Sequence, residues 1–265
     1  MYLHILIIIL IILLYKCYNN NLYNYKYKEF FLQRDIHPLN EFFDKVYVIA
    51  LPKRKDHMIK LMNDNNIKAN IFDALTPNTL DKDYLYKNNF ISKDCELNNG
   101  RIYCHMSHIS VLKDMIKNNY KNCFIFEDDI NKEDFNNITN NKISKALNNL
   151  PKDYNIFYIS KCWDIKHRNK RINKYIYKPY RPLCRHAYGV SQEGAKTIIN
   201  NTLPMKSLHG DIMYSNMIKK GLLKAYSTYE QLYRQNRSVF GSNLGNNNYN
   251  NKGGPPTYIN FNIKK

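Results

Sequence analysis

The octapeptide Cys123-Phe124-Ile125-Phe126-Glu127-Asp128-Asp129-Ile130 decides how this chain is read. An unbroken apolar run makes a buried strand, and three acids stand at its carboxyl end. The 265-residue chain holds only 22 acids, so three together are notable where a sheet would deliver them to a cleft. In extended backbone the side chains alternate faces, so Glu127 and Asp129 point one way and Asp128 the other. A carboxylate pair at i and i+2 suits a hard cation, Mg²⁺ or Mn²⁺, and leaves coordination positions for phosphate oxygens. A solvated acidic turn capping the strand is the alternative, and this stretch alone does not choose between them.

Outward from that strand the apolar runs alternate in type. Residues 46–51 (VYVIAL) read as a buried strand, and 53–65 as a helix with Met58, Leu61 and Met62 on one face. Residues 67–75 are a second strand, and 155–160 another. Residues 104–118 form a helix, with Met106, Ile109, Leu112 and Ile116 at three- and four-residue spacing. Ser191 is placed to cap a helix running to Asn200, and Asp211 opens a further helix that closes at Gly221. Strands alternating with helices predict an α/β domain on a mixed, mostly parallel sheet, with ligands at the carboxyl ends of the strands. Neither GxGxxG nor GxxxxGK[ST] occurs, so no dinucleotide fingerprint or P-loop is present.

Composition narrows the class further. Hydrophobic residues are 44% and charged residues 23%, with 23 Tyr and 12 Phe, which excludes wholesale disorder, a collagen-like fibre and a multi-span membrane protein. The formal net charge is +18, yet 31 of the 40 basic residues are Lys and 39 residues are Asn, both encoded by A/T-rich codons. The excess therefore reads as base bias and implies only a weak attraction for anions, nucleotide phosphates included. Arg is not favoured by that bias, so the nine Lys and Arg within 161–186 carry more information. A solvated loop, an acceptor-binding lid and a nucleic-acid patch interleaved with Tyr175, Tyr177 and Tyr180 all remain open there. The six cysteines (17, 95, 104, 123, 162 and 184) form no CxxC pair, and Cys104, His105 and His108 on one helical turn offer too few ligands for zinc.

Leu3 to Leu14 is apolar except for His4, which is short for a spanning helix, and no small-x-small cleavage site follows. The expectation is an uncleaved, single-pass anchor within residues 1–20, held in the membrane by residues 3–14. Lys16, Lys26 and Lys28 beyond the run leave its orientation open. A stem over 21–43, a main domain over 44–240 and an Asn/Gly/Pro-rich tail over 241–265 complete the layout.

Four ordered segments carry a resemblance. They are VYVIALPKRKDHM (46–58), GRIYCHMSHISVLKDMI (100–116) followed by FEDD (126–129), HAYGVSQEGAKTII (186–199), and HGDIMY (209–214). They resemble glycosyltransferase family 25, which holds bacterial lipooligosaccharide and collagen hydroxylysine galactosyltransferases. Two positions depart from its pattern: Tyr103 stands for a Gly, and Asp56-His57 for Asp-Arg. The resemblance implies a GT-A-type fold and inverting transfer of a hexose, galactose first, from a UDP-sugar. The acceptor would be a glycan, a hydroxylysine or a lipid-linked sugar. Glu127 and Asp129 would hold Mn²⁺ or Mg²⁺, with Asp128 beside them at the donor. Leu51, Arg54 and Ala74 would border the uridine. Ser107 and His108 would face the cleft, His108 being equally readable as a buried histidine that positions the acidic strand. Inversion requires a base, for which the choices are Asp211, otherwise a helix cap, and Asp164 beside Trp163. Two other classes stay in view: a basic nucleic-acid-binding protein, the least favoured, and a non-catalytic structural domain.

Overall fold

A computed structural model of the chain describes residues 15–18 and 36–241. It divides into two units, Met1–His37 and Pro38 onward. In the first, residues 15–18 are one exposed helical turn. The single-pass anchor is not upheld: among the described residues no helix is long and apolar enough to cross a membrane. Residues 3–14 lie outside the described residues, and their dozen positions fall short of the ~20 that a spanning helix needs.

The second unit is built on one eight-stranded sheet. Its strands are β1 (Lys45–Ala50), β2 (Asn70–Asp73), β3 (Asn122–Glu127), β4 (Ile156–Ser160), β5 (Lys170–Arg171), β6 (Ile176–Lys178), β7 (Ala187–Ser191) and β8 (Ala225–Thr228). They lie in the order β2-β1-β3-β7-β4-β8-β6-β5. The β1–β2, β1–β3 and β4–β8 pairs are parallel, and the other four are antiparallel. The sheet is therefore mixed, and the parallel pairs are not the majority. Strand β7 turns the direction, running antiparallel between β3 and β4.

Helices cover both faces. They are α1 (Pro38–Phe42), α2 (Lys55–Asp64), α3 (Lys82–Lys87), α4 (Asn99–Lys117), α5 (Asn137–Leu147), α6 (Gln192–Thr202), α7 (Gly210–Lys219) and α8 (Arg237–Phe240). Strand alternation sorts the core into two halves. Tyr47, Ile49 and Ile125 join residues of α4, α6 and α7 on one face, while Val46, Val48, Phe124 and Phe126 join α1, α2 and α5 on the other. Leu39 and Phe43 belong to that second half, so the domain starts near residue 38 rather than 44.

Several elements depart from expectation for identifiable reasons. Helix α4 begins at Asn99, five residues before the expected start, because Asn98 caps it by accepting from the Arg101 N–H at 3.0 Å. Its buried residues run around much of its circumference, so its amphipathic stripe is blurred. The strand expected over 67–75 is paired only from Asn70 to Asp73. Strand β7 lies inside a segment with no strand-like run, and Gly189 at its middle has a packing cause. A Cβ there would sit 2.4 Å from the ring of Phe43, the residue after α1, so glycine is what lets that ring pack on the sheet.

Candidate functional site

A cleft of about 630 Å³ opens at the carboxyl ends of β1, β2 and β3. The loop after β1 brings Leu51 and Arg54, and the loop after β2 brings Ala74. Helix α4 brings Cys104, Ser107 and His108, and β3 delivers Glu127, Asp128 and Asp129. Arg185, Asp211 and Gln235 close the remaining side. Nine of the ten residues singled out from sequence thus meet in one cavity. Asp164 does not.

The three acids divide as strand alternation requires, although β3 ends at Glu127 and Asp128 and Asp129 occupy the turn beyond it. Asp128 faces the first strand. One of its oxygens accepts from the Leu51 N–H at 2.7 Å, and the other pairs with the Arg54 guanidinium at 2.6 Å. Arg54 also donates to the Phe240 carbonyl at 2.8 Å and lies over the Phe240 ring. Both side chains are largely buried, so this pair is a clamp between the β1 loop, the acidic turn and α8. Arg54 is therefore buried in the cleft wall, whereas its neighbour Lys53 is exposed.

Glu127 and Asp129 face the other way and converge on Gln235, whose amide nitrogen lies 2.9 Å from Asp129 Oδ2 and 3.5 Å from Glu127 Oε2. Asp129 Oδ1 is buried and has no hydrogen-bond partner among the described residues. Burial, with Glu127 beside it, raises the Asp129 carboxyl to about 7, and burial pushes Glu127 up as well. Two close carboxylates, one with an orphaned oxygen, fit a hard divalent cation, which would relieve the desolvation that each now bears.

Helix α4 supports this pair from behind. His108 Nε2 lies 3.0 Å from Glu127 Oε1, and Nδ1 lies 3.0 Å from the Tyr188 hydroxyl. Burial, reinforced by Arg185, holds the imidazole well below its ordinary pKa, so the ring is neutral. An ionised Glu127 can only accept, which puts the proton on Nε2 and makes Tyr188 the donor to Nδ1. His108 is thus the buried histidine that positions the acidic strand. Ser107 accepts from the Leu75 N–H at 2.8 Å and donates to the Tyr103 carbonyl at 2.7 Å, pinning the β2 loop to the helix. Ala74 continues the ladder by donating its N–H to the Ala50 carbonyl.

Arg185 organises the opposite wall. It is buried, pairs through Nε with Asp211 Oδ1 at 2.7 Å, approaches His105 Nδ1 at 3.1 Å and lies over the Tyr214 ring. The second Asp211 oxygen accepts from the Cys184 N–H at 3.1 Å. Asp211 is consequently not a helix cap: His209 holds the cap position of α7, and Asp211 sits inside the first turn. Burial pushes its carboxyl up, but Arg185 and the neighbouring His209 together hold it below the ordinary value. Gly210 makes the approach possible, since a Cβ there would lie 2.4 Å from the guanidinium.

Asp164 is a knot in the basic loop. It accepts from the Ile165 and Arg181 N–H groups, both at 2.9 Å, and from the Tyr177 hydroxyl at 3.3 Å. Its side chain is 1% exposed, so a base role there is set aside. A Cys162–Cys184 disulfide, which the sequence spacing did not announce, ties the same loop to the cleft wall. The three tyrosines that a nucleic-acid patch would offer are covered by the loop's own cations. Lys174 lies over Tyr175, Lys161 over Tyr177 and Arg168 over Tyr180, at 5.0–5.3 Å.

Sequence reasoning missed Arg185 and Gln235 as cleft residues. Arg185 was visible only as one cation among nine. Gln235 had no local signal, because it reaches the acids through an isolated bridge to Ile130.

Comparison with known proteins adds a family. The model of glycosyltransferase family 25 (LPS biosynthesis protein) matches residues 43–214. Mouse and human procollagen galactosyltransferase 2 are each 24% identical over 206 residues, covering 71% of this chain and 32% of theirs. A rat protein named "Probable inactive glycosyltransferase 25 family member 3" is 28% identical over 105 residues, 35% of this chain and 18% of its own. The chain therefore spans about a third or less of these relatives.

Proposed function

The chain belongs to glycosyltransferase family 25, and from that premise we propose that it transfers a hexose, galactose first among candidates, from a UDP-sugar to an acceptor hydroxyl. A glycan, a hydroxylysine or a lipid-linked sugar is the acceptor class, and the fold is of GT-A type. The observation that carries the reading is the Glu127–Asp129 pair. It stands at the end of a central strand, in a cleft of ligand size, with one buried oxygen that has no hydrogen-bond partner among the described residues.

In this reading Leu51 and Ala74 border the uridine through their backbone, with the clamped Arg54–Asp128 pair holding that wall rigid. Lys53 and Arg237 line the cleft and offer charge to the diphosphate. Glu127 and Asp129 would hold Mn²⁺ or Mg²⁺, which when bound would supply charge neutralisation to the leaving diphosphate. His108 keeps Glu127 aimed, and Gln235 keeps Asp129 aimed.

Inversion means a single displacement. The acceptor O–H gives its proton to a carboxylate as its oxygen bonds the sugar's anomeric carbon, and the bond to UDP breaks with its electron pair leaving on UDP. Of the two carboxylates considered for the base, only Asp211 lines the cleft. Its pairing with Arg185 keeps it ionised at neutral pH, which a base requires, and also makes it a weak one.

The test is a panel of UDP-sugars with Mn²⁺ and the acceptor classes above, read as UDP release. Release from one UDP-hexose, with Asp211→Asn lowering turnover roughly 10²–10⁴-fold while donor affinity holds, supports the reading. No release with any pair contradicts it.

A further inference from the structure

Cys104 lies one helical turn before His108 in α4, so the two side chains share a face of the helix. That face meets the end of β3. The Cys104 thiol, the His108 ring and the Glu127 carboxylate each bring one ligand atom to a common point, all within 4.8 Å of one another. Glu127 Oε1 is 3.0 Å from His108 Nε2 and 4.0 Å from Cys104 Sγ.

We propose that Cys104, His108 and Glu127 form a binding site for a borderline-soft divalent cation of the zinc class, with a fourth coordination position open to the cleft. Thiolate, imidazole and carboxylate are the ligand types such ions select, and three protein ligands with an open position is their accessible-site arrangement. Bonds of ~2.0–2.3 Å to a tetrahedral ion put ligand atoms about 3.3–3.8 Å apart, so the side chains need to shift by less than about 1 Å. This donor set differs from the all-oxygen pair of Glu127 with Asp129, which suits a hard cation.

The surroundings support the same assignment. His108 Nδ1 is already held by the buried Tyr188 hydroxyl, the outer contact that fixes the ring orientation of a metal-ligating histidine. Binding requires Nε2 to present its lone pair, so the ring proton passes to Nδ1, where the Tyr188 oxygen accepts it. The thiol proton leaves to solvent as the metal–sulfur bond forms, and no redox step is involved. Burial and Glu127 push the Cys104 thiol well up, so the free site holds a thiol; Arg185, donating toward Sγ at 3.8 Å, works in the other direction and would help hold the thiolate once the ion is bound. Its charge is offset by Asp211, so it does not leave an uncompensated cation beside the ion.

Glu127 is common to both sites. It turns Oε1 to His108 and Cys104 and Oε2 to Gln235 beside Asp129, so the two ions would share one carboxylate, and this consequence alone rests on the reading of Glu127 and Asp129 given above.

Cobalt titration of the full chain, without thiol reductant, tests the site, because a Co²⁺–thiolate bond gives a near-ultraviolet charge-transfer band that carboxylate or imidazole ligation lacks. One equivalent of Co²⁺ should produce the band, displaced by Zn²⁺. Cys104→Ser should abolish it, while Cys95→Ser leaves it intact. Should Cys104→Ser fail to fold by circular dichroism, Glu127→Gln decides, keeping the band and weakening cobalt affinity ten-fold or more. No band in the wild type, a band that survives Cys104→Ser, or an affinity unmoved by Glu127→Gln overturns the proposal.

Discussion

Replacing Asp129 by Asn should stabilise the cation-free protein and abolish its response to Mn²⁺. The carboxyl sits at about 7 against an ordinary 3.8, roughly three units, and each unit is worth 1.36 kcal/mol. The folded state therefore bears up to ~4 kcal/mol for holding this charge above neutral pH. Because Asp129 binds its proton more tightly folded than unfolded, that cost is absent below about pH 4 and grows as the pH rises toward about 7. Glu127 shares the burden, and Asn must still pack beside Gln235, so a gain of about 1–3 kcal/mol at pH 8 is expected. For a domain of this size each kcal/mol moves Tm by about 2–4 °C. Thermal unfolding in EDTA and in Mn²⁺ reads both effects. Wild type should gain stability on adding Mn²⁺ and the variant should not, while the variant melts higher in EDTA. A variant that melts lower in EDTA, or that still responds to Mn²⁺, refutes the assignment of Asp129 as a destabilised cation ligand.

Asp128→Ala should behave oppositely. It strands the buried Arg54 guanidinium and the Leu51 N–H, so a loss of about 3–5 kcal/mol is expected, and an unchanged melting temperature would contradict the clamp. Asp164→Asn should lower Tm while leaving turnover per folded molecule intact, since the residue lies outside the cleft; a turnover loss at unchanged stability would restore it as a base. For Asp211 the folded carboxyl lies below its unfolded value, so its contribution is present above about pH 4 and lost as the pH falls further. Melting temperatures taken down to about pH 3 should therefore fall more steeply for wild type than for Asp211→Asn, and parallel curves would show that the Arg185 pairing adds nothing.

What could be read from the chain follows the physics of each segment. The apolar runs of β1, β3 and β4 are central strands buried on both faces, and such strands announce themselves without alternation. The division of Glu127 and Asp129 from Asp128 was legible because it needs only the two-residue period. Strand β7 was not, since its glycine answers to the Phe43 ring, just past the end of α1 and 146 residues earlier. The short edge strands β5 and β6 have two and three residues, too few for a period to show. Arg185 and Asp211 were each visible as charges, yet their pairing depends on Gly210 admitting the guanidinium, a steric fact of the folded state. Asp164 was misjudged because a nearby Trp and a strand end look the same in sequence whether the acid faces a cleft or a loop's own N–H groups.

The central claim is that this cleft binds a UDP-sugar through a cation held by Glu127 and Asp129. Calorimetric titration of the full chain with UDP, in Mn²⁺ and again in EDTA, measures it directly. One UDP should bind in Mn²⁺, at least ten-fold tighter than in EDTA, with Asp129→Asn reduced to the EDTA value in both buffers. UDP that fails to bind, or binds equally well in EDTA, contradicts the account.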